Sequence, residues 1–185
     1  MTSKSQIAAE FPHLNKYVEM FEKHISEIDP LQLTILNGHL IIESALDNIL
    51  STIFFHPEHI EEAELEFNQK VHVARSYALR KNKEPVWNLI LVINAVRNEI
   101  AHNLGEGMKR EKKMARLRRL YLAHVSAEDA KKREDAADYV IAALACVSCI
   151  GFLGMFEDDM RGLRGHIDAL DAGMNPNEQR ITPKR

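Results

Sequence analysis

The sequence predicts an all-α fold, a bundle of helices that pack antiparallel, and three observations predict it. Apolar residues recur at helical spacing along nearly the whole chain, without the apolar–polar alternation of a strand. Helix-start and helix-stop residues punctuate the chain at helix-length intervals. The turns between them are short, which favours antiparallel neighbours. With 185 residues, 45% hydrophobic and 28% charged, the chain is long enough to bury a core of its own. We expect one helical domain over residues 1–164 and a flexible tail over 165–185, where Gly173, Pro176 and Pro183 stand among polar residues.

Taken in order, Pro12 suits the first turn of a helix running to about Ile28. Asp29 and Pro30 read as the cap and first residue of the next helix. Leu36, Leu40, Ile42, Leu46, Ile49, Leu50 and Ile53 make that helix strongly apolar, and His56-Pro57 ends it. A short acidic piece, EHIEEAELEF, follows. A helix from about Asn68 to Leu79 comes next, then a turn over Arg80 to Pro85. A helix from Val86 to about Leu104 stops at Gly105, and a basic helix spans Met108 to His124. Ser126 and Asp129 form a capping pair that opens a last long helix, expected to end near Met160.

Tyr139 to Phe156 carries no charge for 18 residues, just enough for a membrane span. Its flanks are acidic, Asp138 on one side and Glu157, Asp158 and Asp159 on the other, and basic anchors are missing beside it. Ala, Ser and Gly dilute it further, so we read it as a buried helix and expect no membrane partner. The two cysteines, Cys146 and Cys149, exclude a disulfide framework, and the N-terminus has no apolar leader core; both favour the cytoplasm. The formal net charge of -3 neither favours nor opposes a nucleic-acid partner.

The stretch VINAVRNEIAHNLG, Val92 to Gly105, sets Arg97, Asn98 and His102 inside a mostly apolar helix. Asn94, Asn98 and His102 are four apart and share a face. Arg97 lies roughly 140° round from His102, so one helix aims the two poorly at each other. A second copy related by a two-fold axis would bring both sets to a shared cleft. These residue types suit RNA cleavage by its own 2′-hydroxyl. An imidazole takes or gives a proton near neutral pH. A guanidinium stabilises the charge that gathers on the phosphate. An amide orients either group, and the chemistry needs no cofactor. The bland alternative is structural: His102 near a helix C-terminus, and Arg97 paired with a buried carboxylate such as Glu43.

RNEIAHN resembles the Arg-x4-His signature of the HEPN superfamily. GHLIIESALDNIL (Gly38 to Leu50) is similar to the early HEPN helix that carries an acidic residue, and FNQKVHVARSYAL (Phe67 to Leu79) to the helix before the motif. The mannitol operon repressor-like branch has a similar pattern. The resemblance covers roughly Leu31 to Met160. It implies a helical bundle that forms a homodimer through the motif helix and acts as a metal-independent endoribonuclease, often a toxin or phage-defence effector. Arg97 and His102 would be the catalytic pair, Asn98 their helper, and Glu43, four residues from His39, an acidic neighbour. Some relatives of this kind are inactive interaction or regulatory modules, and a toxin of this kind is silenced by an antitoxin protein.

The basic helix adds Lys109, Arg110, Lys112, Lys113 and Arg116 as candidate RNA-backbone contacts beside the motif. Its alternative is a solvated face that pairs with the acidic stretch Glu61 to Glu66. Cys146 and Cys149 form a CxxC without a second ligand pair and read as core packing. His56 and His59, near Glu61 and Glu62, are a weak metal candidate, and no metal is expected. Gly151 and Gly154 would let another backbone approach the last helix.

Overall fold

A computed structural model describes residues 29–102 and 108–176. The expected helix over Pro12–Ile28 and the expected stop at Gly105 lie outside the described residues. Among the described residues the fold is all-α, without a strand. Its helices are α1 (Pro30–Ile53), α2 (Pro57–Glu62), α3 (Phe67–Ser76), α4 (Val86–His102), α5 (Met108–His124), α6 (Ala127–Lys132) and α7 (Asp138–Met174).

Local chemistry starts α1 where the sequence predicts. The Asp29 carboxylate accepts from the amides of Leu31 at 2.9 Å and Gln32 at 3.3 Å, and Pro30 needs no partner for its missing N–H. The helix ends three residues before His56, because Phe54 turns to extended backbone. Pro57 then opens the separate α2. The cap of α3 is a side-chain exchange, in which the Gln69 oxygen accepts from the Glu66 amide at 2.8 Å.

The core forms where α1 and α7 pack on each other and α4 packs on α1, α5 and α7. Ile35, Ile42, Leu46 and Ile49 of α1 are fully buried, as are Leu89, Ile90 and Ile93 of α4. Leu40, although part of the apolar α1 pattern, points outward and is 61% exposed. Trp87 meets Phe152 and Phe156 of α7 edge-on, at ring separations of 5.1 and 5.7 Å, and its indole N–H donates to the Lys81 carbonyl at 2.9 Å. Burying one such large apolar side chain contributes about 2–3 kcal/mol. At Gly38 α1 packs tightly on α7: an added Cβ would lie 3.0 Å from the Cys146 Cβ and nearer still to its sulfur.

Two expectations about the last helix need correction. The Ser126 cap does form, with its hydroxyl accepting from the Asp129 amide at 3.1 Å, but it opens only the six-residue α6. The chain then breaks, and Arg118 of α5 holds the segment between the two helices. Its guanidinium donates to the carbonyls of Glu134 and Ala136 and to the Asp138 carboxylate, at 3.0, 2.5 and 2.7 Å. The helix that begins at Asp138 does not end near Met160. It runs through Gly162, Gly165 and Gly173 to Met174, so residues 165–174 are helical where a flexible tail was expected. Residues 177–185 lie outside the described residues. Each mid-helix glycine costs about 1 kcal/mol. Arg164 offsets part of that: it pairs with Asp168, donates to the carbonyls of Thr52 and Phe54 at the end of α1, and lies 3.9 Å over the Phe55 ring. Arg161 pairs with Glu157 one turn earlier.

Helix α7 is long and apolar enough to cross a membrane. Its buried residues form one stripe, Ile141, Ala142, Ala145, Cys146, Cys149, Leu153, Phe156 and Met160, turned to the other helices. Val147, Gly151, Gly154 and Met155 are exposed on the other side, and nothing lies within 4 Å of a Cβ added at either glycine. Cys146 and Cys149 belong to the buried stripe as packing residues. Burial pushes the Cys146 thiol up to about 11 and Cys149 further, with the Cys146 charge adding to the second shift.

Candidate functional site

Helix α4 carries the polar motif from the core to the surface. Asn94 is buried, Arg97 and Asn98 are half-buried, and His102 is exposed in the last described turn. The four-residue spacing of Asn94, Asn98 and His102 explains that gradient, since each step moves one turn, about 6 Å, along the same face. Arg97 Nη1 donates to Asn98 Oδ1 at 3.1 Å. The amide therefore holds the guanidinium beside it. Among the described residues no ion pair joins Arg97 to Glu43.

Glu43 is instead held by Lys70 of α3. The Lys70 ammonium bridges Glu43 Oε1 at 3.0 Å and Asp47 at 2.9 Å. Partial burial pulls the Lys70 value down, but the two carboxylates outweigh it and raise it above the ordinary lysine range. The other Glu43 oxygen lies 3.8 Å from His39 Nδ1.

The deepest polar contact was only partly visible in the sequence. His39 Nε2–H donates to Asn94 Oδ1 at 3.0 Å, and Asn94 Nδ2 donates to Asn68 Oδ1 at 3.0 Å. Asn68 accepts, so the Asn94 amide presents its oxygen to His39, and the neutral imidazole carries its proton on Nε2. Nδ1 is buried without a hydrogen-bond partner. The Phe67 ring stacks on the imidazole at 4.3 Å. Burial pushes His39 below the ordinary histidine value; Asn94 and Glu43 oppose that, and the charges of Arg97 and Lys70 add to it. The signal in the sequence was the spacing His39, Glu43, Asp47 along one side of α1. Asn68 and Lys70 had no such signal, because their role depends on how α3 docks.

The basic helix α5 divides into two groups. Arg110 pairs with Asp29, Lys113 with Glu99 at 2.5 Å, and Arg118 is spent on the break before α7. For Asp29, partial burial raises its carboxyl, but Arg110 and the cap amides outweigh this and hold it below the usual value. Arg110 and Lys113, expected to contact substrate, each hold an ion pair within the fold. Lys109, Lys112, Arg116 and Arg119 are exposed. None of them pairs with the acidic stretch Glu61 to Glu66.

His56 and His59 each meet a neighbouring glutamate, Glu58 at 3.1 Å and Glu62 at 3.5 Å, and their rings lie 6.2 Å apart. Among the described residues no group of three or more His, Cys, Asp or Glu is arranged to hold a metal. A cleft of about 380 Å³ opens between α1, α2 and α3, lined by Asp47, Leu50, Pro57, Ile60 and Lys70 among others. Arg97, Asn98 and His102 do not line it, so it is separate from the motif.

Comparison of the chain with protein-family models, with curated proteins and with solved structures finds no significant match.

Proposed function

We propose that the protein is a cytoplasmic, metal-independent endoribonuclease of HEPN type, with its site completed where two copies of α4 meet. The observation that carries this is the ordering of the motif: a half-buried Arg97 held by Asn98, and one turn on an exposed His102, with the cationic helix α5 next in the chain. In a single copy the guanidinium and imidazole lie roughly 140° apart around the helix. A two-fold partner supplies the missing half of each pair. His102 then takes the 2′-hydroxyl proton or returns one to the leaving 5′-oxygen. Arg97 stabilises the negative charge on the phosphorane oxygens, and Asn98 keeps its guanidinium aimed. Glu43 acts at a distance, through the His39 and Lys70 contacts that set the α1 side of α4. A toxin or phage-defence role, with an antitoxin as partner, goes with this reading.

The test is cleavage of RNA in chelator by wild type, His102→Ala and Arg97→Ala, with dimer content followed in parallel. Each substitution is expected to lower the rate by at least about 100-fold, the usual contribution of a positioned acid or base, while the fold and dimer persist. A folded, dimeric wild type that leaves every RNA intact overturns the reading.

A second reading is supported by exposed apolar residues. Leu40, Ile41, Val147 and Met155 are each more than half exposed. They suit a catalytically silent interaction or regulatory module, for which Arg97 and His102 substitutions would alter assembly and leave no activity to lose.

A further inference from the structure

The ion pairs of α5 sort its cations by availability, and the sorting follows geometry. Arg110 and Lys113 lie toward the buried side of the helix, next to Met114 and Leu117, and find Asp29 and Glu99 there. Lys109, Lys112, Arg116 and Arg119 fall at steps of three, four and three residues. At 100° per residue, roughly 80° of the helix circumference contains all four. They project from the side opposite Met114, Leu117 and Tyr121, and no ion pair among the described residues involves them. Their backbones rise over about 15 Å. One strand of a stacked nucleic acid carries a phosphate about every 3.4 Å, so this length spans about four phosphate-to-phosphate steps, enough for each cation to meet a phosphate. The geometry points to this face as a track for the backbone of one RNA strand, with Lys109, Lys112, Arg116 and Arg119 each meeting a phosphate. This rests on the ribonuclease reading for the choice of RNA, and it replaces Arg110 and Lys113 with Arg119.

The surroundings favour a nucleic-acid strand over an acidic lipid surface. A helix that lies in a membrane interface turns its apolar face to the lipid. Along the body of α5 the large apolar residues face the core, with Leu117 fully buried and Met114 and Tyr121 at 2% exposure; Met108, at its first residue, is exposed alone and is too little for an apolar membrane face. From Lys109 to Arg119 the exposed apolar residue beside the cations is the small Ala115, so a polyanion can approach the charges along this stretch. The short face also offers no aromatic ring for base stacking, so the track reads phosphate and not sequence.

The experiment is fluorescence anisotropy with a labelled single-stranded oligouridylate in the full-length His102→Ala protein, in chelator, over a range of salt. Removal of catalytic turnover separates binding from cleavage. The slope of log affinity against log salt is expected near −3, from about −0.7 per phosphate neutralised. Lys112→Gln and Arg116→Gln are each expected to make the slope shallower by about 0.7. Lys113→Gln, and Lys83→Gln on the exposed turn before α4, are expected to leave it unchanged. The proposal is overturned if the Lys112 and Arg116 variants keep the wild-type slope, or if Lys83→Gln lowers it equally. It is also overturned if phosphatidylserine vesicles bind through these residues while oligouridylate does not. If the slope behaves as expected but wild type cleaves no RNA, the track stands and the nuclease reading alone falls.

Discussion

His39 and Asn94 join α1 to α4 through a 3.0 Å hydrogen bond that is closed off from solvent. The same amide reaches Asn68 ahead of α3's midpoint, so one side chain ties three helices. It sits one turn before Arg97. The buried contact therefore sets the register of the helix that carries the motif, and the motif's exposed end inherits that register.

Replacing Asn94 by alanine leaves the His39 N–H buried without an acceptor. We expect a loss of about 1–3 kcal/mol, the cost of an unsatisfied buried donor. Asn68→Ala is expected to cost less, since Asn68 is exposed and water replaces it. Urea denaturation midpoints of the two variants, compared with wild type, check the order. Equal losses would show that the His39 contact contributes nothing of its own.

The buried imidazole predicts an acid-sensitive fold. Burial holds native His39 below 6.5, against Asn94 and Glu43 and with the help of Arg97 and Lys70. As pH falls through about 6.5 the unfolded chain takes up a proton there, and the native chain does not until its lower value is reached. The unfolded state binds more protons across that window, so stability declines as pH drops from 6.5 toward the native value and the decline stops below it. His39→Gln is expected to flatten the stability–pH curve between these limits, whatever its effect on the absolute level. Denaturation at closely spaced pH values measures the slope, and an unchanged slope in the variant refutes the assignment.

Gly38 predicts a coupled pair. Gly38→Ala drives a methyl into Cys146, and overpacking of this kind costs about 1–3 kcal/mol. Cys146→Ala removes the sulfur but leaves a Cβ contact of 3.0 Å, so the double variant is expected to recover part of the loss. A thermodynamic cycle over the four proteins measures the coupling. Strict additivity would mean that α1 and α7 separate freely at this point.

Much of the fold could be read from the residues in order. Asp29-Pro30 starts α1 and the run from Met108 to His124 is α5, because caps and apolar spacing act within a turn or two of the chain. The errors lie where a distant side chain overrules the local pattern. Ser126 caps a helix as expected, yet that helix is six residues long and Arg118, on another helix, holds the segment after it. The glycines after Met160 weaken a helix locally, yet Arg164 anchors that segment to the end of α1. The candidate site divides the same way. Apolar spacing alone put Arg97, Asn98 and His102 on the helix that is α4, and the burial gradient along them came from packing. Only packing could show that Glu43 answers to Lys70, that Arg110 and Lys113 are occupied, and that Asn94 is the buried hub. Residue type and spacing are written along the chain and decide helices and their polar faces. Which charge meets which is decided when helices dock, because burial makes an unpaired polar group costly and so selects its partner from whatever the fold brings near.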